Sequence, residues 1–233
     1  MERARRNPAA PRAGPTGSGA LPPRPFVALV LGGASVVVIA VTAWLAVKPG
    51  AETAQTSLVQ WFNDPPQPFA LIFAAVNPLL RPVPLVVASI LLVGWVLLST
   101  PGTAERLEQV RSLVVALALS EIAAQVMKRL ADQPRPLSVV PGLDTHGYPS
   151  DPAGNAYPSA HTALVVAAVC ALWPWMRTPH RVVGVCFAVL VATNRLYIAA
   201  HWPIDVVGGA AIGLLAGSIA WLIAGRWPLD RGI

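Results

Sequence analysis

The sequence predicts an all-α integral membrane protein of six transmembrane helices, with an interfacial helical segment between the first two. Three observations predict this. Of the 233 residues, 55% are hydrophobic and 12% are charged, with a mean hydropathy of +0.57; a soluble domain carries about twice that share of charge. Apolar runs recur that are long enough to cross ~30 Å of hydrocarbon. The few charges near membrane depth gather into three clusters, and a charge there is costly enough to mark a candidate functional site.

Residues 1–25, rich in Arg, Pro, Gly and Ala, read as a disordered cytosolic tail. Phe26 to Val47 is a run of 22 residues without a charge. A signal-peptide core is only about 7–15 residues long, so this run reads as an uncleaved first span. Residues 48–67 form a polar surface segment with one short helix. Pro68 to Leu80 is apolar but short, and Asn77-Pro78 and Arg81-Pro82 break it, so it is expected at the interface. Val83–Ser99 is the second span, Thr100–Gln109 a polar turn, and 110–128 the third span. A long Pro- and Gly-containing loop then runs from Arg129 to Tyr157, and loops of that length are usually functional or disordered. Spans four to six are about 159–176, 181–198 and 204–224. The membrane domain is thus 26–225, and 226–233 is a short cytosolic tail.

Six spans put both termini on one side. That side holds eleven Lys/Arg and the other six, so the positive-inside rule places both termini in the cytosol. Trp173, Trp175 and Trp227 fall near inner ends, and Trp44 and Trp202 near outer ends, as in aromatic belts. The net charge of +6 comes without an aromatic-interleaved basic patch, and five of the fifteen arginines lie in the tail; no nucleic-acid partner is expected. Cys170 and Cys186 sit in apolar runs at similar predicted depth, and imply neither a disulfide framework nor a metal or redox pair. Asp205, Gly209, Gly213 and Gly217 recur every four residues, a stripe that lets membrane helices approach closely.

The three charged clusters are 128–135 with Lys128 and Arg135, Tyr157-Pro158-Ser159-Ala160-His161, and Asn194-Arg195 with His201 and Asp205 following. The predicted topology brings all three to the outer face. His161 to Met176 and Arg181 to Arg195 are each about 24 Å of helix, so the hairpin returns Arg195 to the depth of His161. Transfer of a phosphate builds charge on its equatorial oxygens, and catalysis is mainly positioning and electrostatic stabilisation. Lys128, Arg135 and Arg195 supply positive charge, the arginines in a forked geometry. Ser159 precedes an apolar helix, where N–H groups and the helix dipole favour an anion; its hydroxyl serves as N-cap, as phosphate ligand, or as both. The four-residue spacing of His201 and Asp205 lets the carboxylate hold one imidazole nitrogen while the other attacks phosphorus, and His161 is then free to protonate the leaving oxygen. No carboxylate cluster suited to Mg²⁺ appears, so neither a metal nor a cofactor is expected.

Lys-x6-Arg-Pro over 128–136, Pro-Ser-x-His over 158–161 and Arg-x5-His-x3-Asp over 195–205 together resemble the type 2 phosphatidic acid phosphatase superfamily. The resemblance implies that His201 is the nucleophile forming a phosphohistidine, that Asp205 orients it, and that His161 is the acid and then the base for water. It also implies that Lys128, Arg135, Ser159, Ala160 and Arg195 hold the phosphate. Ala160 stands where the family usually has Gly, and Asn194 where it usually has Ser; altered affinity or substrate preference is the expected consequence.

The function this implies is removal of phosphate from a lipid phosphate or diphosphate at the outer face of a bacterial inner membrane. A polyprenyl diphosphate or a phosphatidic acid type lipid is the expected substrate. Abundant Ala, Arg, Gly and Pro with only two Lys suggest a bacterium and favour the polyprenyl carrier. Membrane lipids are the expected surroundings, and a homo-oligomer is compatible with the sequence. A transporter-like protein would show interrupted helices in corresponding halves, and none is visible. A non-catalytic binder of lipid headgroups would not need two histidines. Vanadate-binding haloperoxidases have a similar site but are soluble. His146 and His180 read as solvated loop residues, Asp132, Asp144 and Asp151 as loop caps, and Asn77 as a helix breaker. Glu121, seven residues before Lys128, is an intramembrane acid in search of a polar partner or a wet cavity.

Overall fold

The computed structural model describes residues 24–147 and 154–224, and among them every regular element is helical. The tail before Arg24, residues 148–153 with Asp151, and residues after Ala224 with Trp227 lie outside the described residues. In chain order the helices are α1 (Arg24–Ala46), α2 (Ala51–Asn63), α3 (Phe69–Val76), α4 (Pro82–Ser99), α5 (Thr103–Ala131), α6 (Pro136–Val139), α7 (Ala160–Leu172), α8 (Thr178–Tyr197) and α9 (Pro203–Ala224). A 3₁₀ turn, Asn77–Leu80, extends α3, and another, Trp173–Trp175, extends α7.

Six of these helices stand where the sequence places spans. Among the described residues, three stretches are long and apolar enough to cross a membrane: Pro25–Ala46, Thr103–Val139 and Pro203–Ala224. A fourth arises if Phe69–Leu80 and Val83–Ser99, which bend by 74° at their junction, count as one span; Ala160–Trp175 is apolar but shorter. The faces of α1, α4 and α8 display bare Val, Leu, Ile and Phe side chains, Leu98 being 88% exposed. Such a surface suits hydrocarbon rather than water, and the chain is an integral membrane protein.

Helix α9 is the hub, packed against α1, α5 and α7, while α7 also meets α5 and α8. The glycine stripe makes this approach close. A Cβ on Gly213 would lie 2.5 Å from the carbonyl oxygen of Ala163, and one on Gly209 would collide with the carbonyl oxygen of Ser159. Ala116, Ala167, Ala171, Ala216 and Ala220 complete a small-residue core among α5, α7 and α9. Cys170 packs into the same contact, whereas Cys186 is exposed on α8; both are free.

Several expectations change. The polar turn shrinks to residues 100–102, because Thr103–Gln109 already belong to α5. Glu105 in the first turn suits the helix dipole, and Arg106 folds back to donate twice to the Thr100 carbonyl, at 3.1 and 2.7 Å. The charges thus cap a long helix rather than break one. Trp202 is no belt residue: it is fully buried, and its indole N–H donates to the Pro134 carbonyl at 2.8 Å. The loop from Arg129 is also more ordered than expected, with α5 running to Ala131 and α6 forming one turn.

His146 is only partly solvated. It stacks on Tyr197 with centroids 4.0 Å apart and lies 2.8 Å from the Asn63 carbonyl oxygen. Asn63 donates to the carbonyls of Asp144 and Tyr197 at 2.7 and 2.6 Å. Asn77 does more than break a helix, donating to the His146 carbonyl at 3.2 Å. These bonds tie the long loop to α2, α3 and α8. His180 is exposed as expected, in the first turn of α8. Asp132 ends α5 in the left-handed region (φ +44°), and Asp144 accepts from the His146 N–H, so both act as caps.

Candidate active site

A cavity of about 830 Å³ opens between α4, α5 and α7. Its walls are apolar over most of their depth, and at one end Lys128, Arg135, Ala160, His161, Arg195 and His201 converge. Lys128 comes from the last turn of α5, Arg135 from the residue before α6, His161 from the first turn of α7 and Arg195 from the last turn of α8. Residues that span 74 positions of sequence meet at one face because the helix ends that carry them do.

The returning loop holds Lys128 and Arg135 of the first cluster. Lys128 Nζ donates to the Asn155 carbonyl at 2.9 Å, and Asn155 Nδ2 donates back to the Lys128 carbonyl at 2.8 Å. Arg135 Nε donates to the Gly154 carbonyl at 3.1 Å, and a Cβ on Gly154 would sit 3.1 Å from the guanidinium. Gly154 and Asn155 escape sequence reasoning because the groups that meet the cations are backbone carbonyls, which any residue has.

His201 lies in the tight connection from α8 to α9, and Asp205 in the first turn of α9, both buried. His201 Nδ1 stands 3.5 Å from Asp205 Oδ2. The same Oδ2 accepts the Trp202 backbone N–H at 2.7 Å, which is half of a capping box, with Pro203 at the first helical position where its missing N–H costs nothing. The carboxylate therefore faces the imidazole while it holds the helix start, and Nε2 is the ring nitrogen turned away from it. Burial pushes the His201 pKa well below the usual histidine value, and the positive charges of Lys128, Arg135, His161 and Arg195 push it the same way. Both effects favour the neutral imidazole.

Ser159 is fully buried just before α7. Its hydroxyl makes no cap bond, accepting instead from Thr162 Oγ1 at 3.0 Å. Its N–H donates to the Asp205 carbonyl at 3.0 Å, joining the starts of α7 and α9. Ala160, not Ser159, lines the cavity. Tyr157, also buried, reaches away to α1, 2.8 Å from Thr42 Oγ1.

The sequence profile of the PAP2 superfamily matches residues 109–228, more than half the chain and every residue of the site. The chain belongs to the PAP2 superfamily. It is 30% identical over 126 residues to an undecaprenyl-diphosphatase of Sulfolobus acidocaldarius, covering 52% of this chain and 55% of that one. It is 29% identical over 132 residues to a putative undecaprenyl-diphosphatase of Escherichia coli, covering 55% and 65%. The matches thus span about half to two-thirds of these relatives. In fold it is similar to a transmembrane PAP2-type phosphatidylglycerolphosphate phosphatase of Bacillus subtilis, with a TM-score of 0.64 at 15% identity, covering 82% of this chain and 94% of that one.

One departure from the usual PAP2 pattern acquires a physical role. Asn194 is fully buried; its Oδ1 accepts from Arg195 Nη2 at 2.5 Å and its Nδ2 donates to the Phe73 carbonyl at 3.5 Å. It anchors the guanidinium to α3 through an acceptor that reaches one atom further than a serine hydroxyl. Ala160, the other departure, lines the cavity itself.

Proposed function

We propose that this PAP2 protein is a membrane phosphatase that removes phosphate from a lipid phosphate or diphosphate, on a polyprenyl or phosphatidic acid type lipid, through a phosphohistidine. The observation that carries the reading is the convergence of three cations and two histidines at the polar end of an otherwise apolar groove. Such a groove suits an amphiphile whose head is anionic.

Phosphate sits against Lys128, Arg135, Arg195 and the first N–H groups of α7, which Ser159 positions. His201 Nε2 attacks phosphorus, the bond from phosphorus to the leaving group's oxygen breaks (the lipid oxygen of a monophosphate, the bridging oxygen of a diphosphate), and protonated His161 gives that oxygen its proton. His161, now neutral, takes a proton from water as the water attacks the phosphohistidine. The P–N bond breaks, inorganic phosphate leaves and His201 is restored. Asp205 keeps Nδ1 protonated and stabilises the charge on the ring. One hydrogen-bond partner of His161, the Leu80 backbone, fixes its ring for both steps.

The test is phosphate release by purified protein over a panel of polyprenyl and glycerolipid phosphates, with His201→Ala as blank. Activity is expected to survive EDTA and to be blocked by vanadate, which mimics the five-coordinate phosphoryl group. Loss on chelation, restored by Mg²⁺, rejects the metal-independent mechanism.

In this reading α1, α4, α5, α7, α8 and α9 all cross a bacterial inner membrane, both termini are cytosolic and the site faces outward. The Lys/Arg asymmetry supports it. With Cys186 replaced by Ser, a cysteine at Pro141 should react with a membrane-impermeant reagent in intact cells, and one at Pro101 should not. Both positions are exposed. The reverse labelling moves the site to the inner leaflet.

A further inference from the structure

The cavity does not end at the phosphate-binding residues. Glu121 and Gln125, on successive turns of α5, line the same groove on the cytosolic side of Lys128, and Ser89 lines it from α4. Seven residues of helix put Glu121 about 10 Å from Lys128. A carboxylate in the middle of an apolar helix is costly and calls for a polar neighbour or ligand. The surrounding wall at this depth is Leu, Val and Ile, so these three side chains form a polar band within an apolar groove.

Their hydrogen-bonding character is specific. Gln125 Nε2 donates to Glu121 Oε1 at 2.7 Å, and Ser89 Oγ donates to the Leu85 carbonyl at 2.9 Å. With the Ser89 proton and one of the two Gln125 N–H groups engaged, the band presents one N–H against several acceptors: the carboxylate, the Gln125 carbonyl and the lone pairs of the Ser89 hydroxyl. Acceptors match donors. A second phosphate is repelled by the carboxylate, an ester carbonyl brings another acceptor, and a bare hydrocarbon chain leaves the band unsatisfied. Hydroxyl groups satisfy it.

We propose that Glu121, Gln125 and Ser89 form a specificity subsite for hydroxyls borne between the phosphate and the tail, so that the preferred substrate is a lipid whose phosphate sits on a sugar or polyol. This rests on the phosphatase reading and narrows its substrate class.

The test compares two single-chain probes, a dodecyl glucoside phosphorylated on its primary hydroxyl and dodecyl phosphate, with the full-length protein in detergent. Wild type should prefer the glucoside in kcat/KM. Glu121→Leu should reduce the ratio of the two kcat/KM values about tenfold or more, the loss expected for hydrogen bonds to a charged group. Glu121→Gln, which keeps an acceptor oxygen, should retain most of the preference. Should Glu121→Leu not fold, Ser89→Ala and Gln125→Leu carry the same comparison with smaller expected shifts. A ratio unchanged in all of these variants, or a wild type that prefers dodecyl phosphate, overturns the subsite while leaving the phosphatase reading intact. Release from neither probe, nor from any lipid of the panel, overturns both.

Discussion

Replacing His201 by Ala is expected to abolish both turnover and any phosphoenzyme, because it removes the attacking nitrogen itself. His161→Ala should behave differently with different leaving groups. On a lipid alkoxide it should lose roughly 10²–10⁴-fold, the usual contribution of a positioned acid. On p-nitrophenyl phosphate, whose leaving group hardly needs a proton, the loss should be much smaller. Asp205→Asn should fall between, and the geometry gives the reason. One carboxylate oxygen lies 3.5 Å from His201 Nδ1 and accepts the Trp202 N–H; an amide can keep an oxygen there but has no charge to balance the imidazolium. Rapid-quench trapping of the phosphoenzyme and steady-state kinetics on the two substrate types decide it. Equal damage by His161→Ala on alkyl and aryl phosphates would make His161 a phosphate ligand or a helix-start residue instead of the leaving-group acid.

Gly209→Ala is expected to lower stability and activity together. Alanine is the better helix former by about 1 kcal/mol, so at an open site the change stabilises. Gly33 in α1 is such a site, with nothing within 4 Å of an added Cβ, and Gly33→Ala should be neutral or mildly stabilising. At Gly209 the new methyl meets the carbonyl oxygen of Ser159. That oxygen is backbone and already accepts the Ala163 N–H at 3.0 Å, so relief requires shifting the start of α7. Overpacking of this kind costs about 1–3 kcal/mol and outweighs the propensity gain. The shift also displaces His161, so kcat should fall with the unfolding temperature. Thermal unfolding in detergent beside kcat for both variants checks this, and equal behaviour of the two alanines would show that α7 and α9 do not approach so closely.

The helices along the chain were legible from residues 26 to 224 because hydropathy is local and each long apolar run must satisfy its own backbone. Boundaries moved where charge was read as an interruption: Glu105, Arg106 and Glu108 decorate the first turns of α5 instead of ending a span. The candidate site was legible for a related reason. Lysine, arginine and histidine are expensive near membrane depth, so their clustering in Lys128, Arg135, His161, Arg195 and His201 stands out against an apolar background, and the cavity gathers all five. The stripe of Gly209, Gly213 and Gly217 likewise announced a close helix contact, though not its partner.

What the sequence alone determined, then, is the order of helices and the chemistry available at their ends, since both follow from side-chain identity and spacing. Tertiary structure decided which groups answer that chemistry. The carbonyls of Gly154 and Asn155 that hold Arg135 and Lys128 carry no side-chain signature. Trp202 looked like a belt residue until its neighbours buried it, and the Ser159 hydroxyl accepts from Thr162 instead of capping α7, while its N–H goes to the start of α9. Glu121 acquired a groove only when α4 and α5 came together around it. Burial and hydrogen-bond pairing belong to pairs of distant segments, and no single stretch of chain contains them.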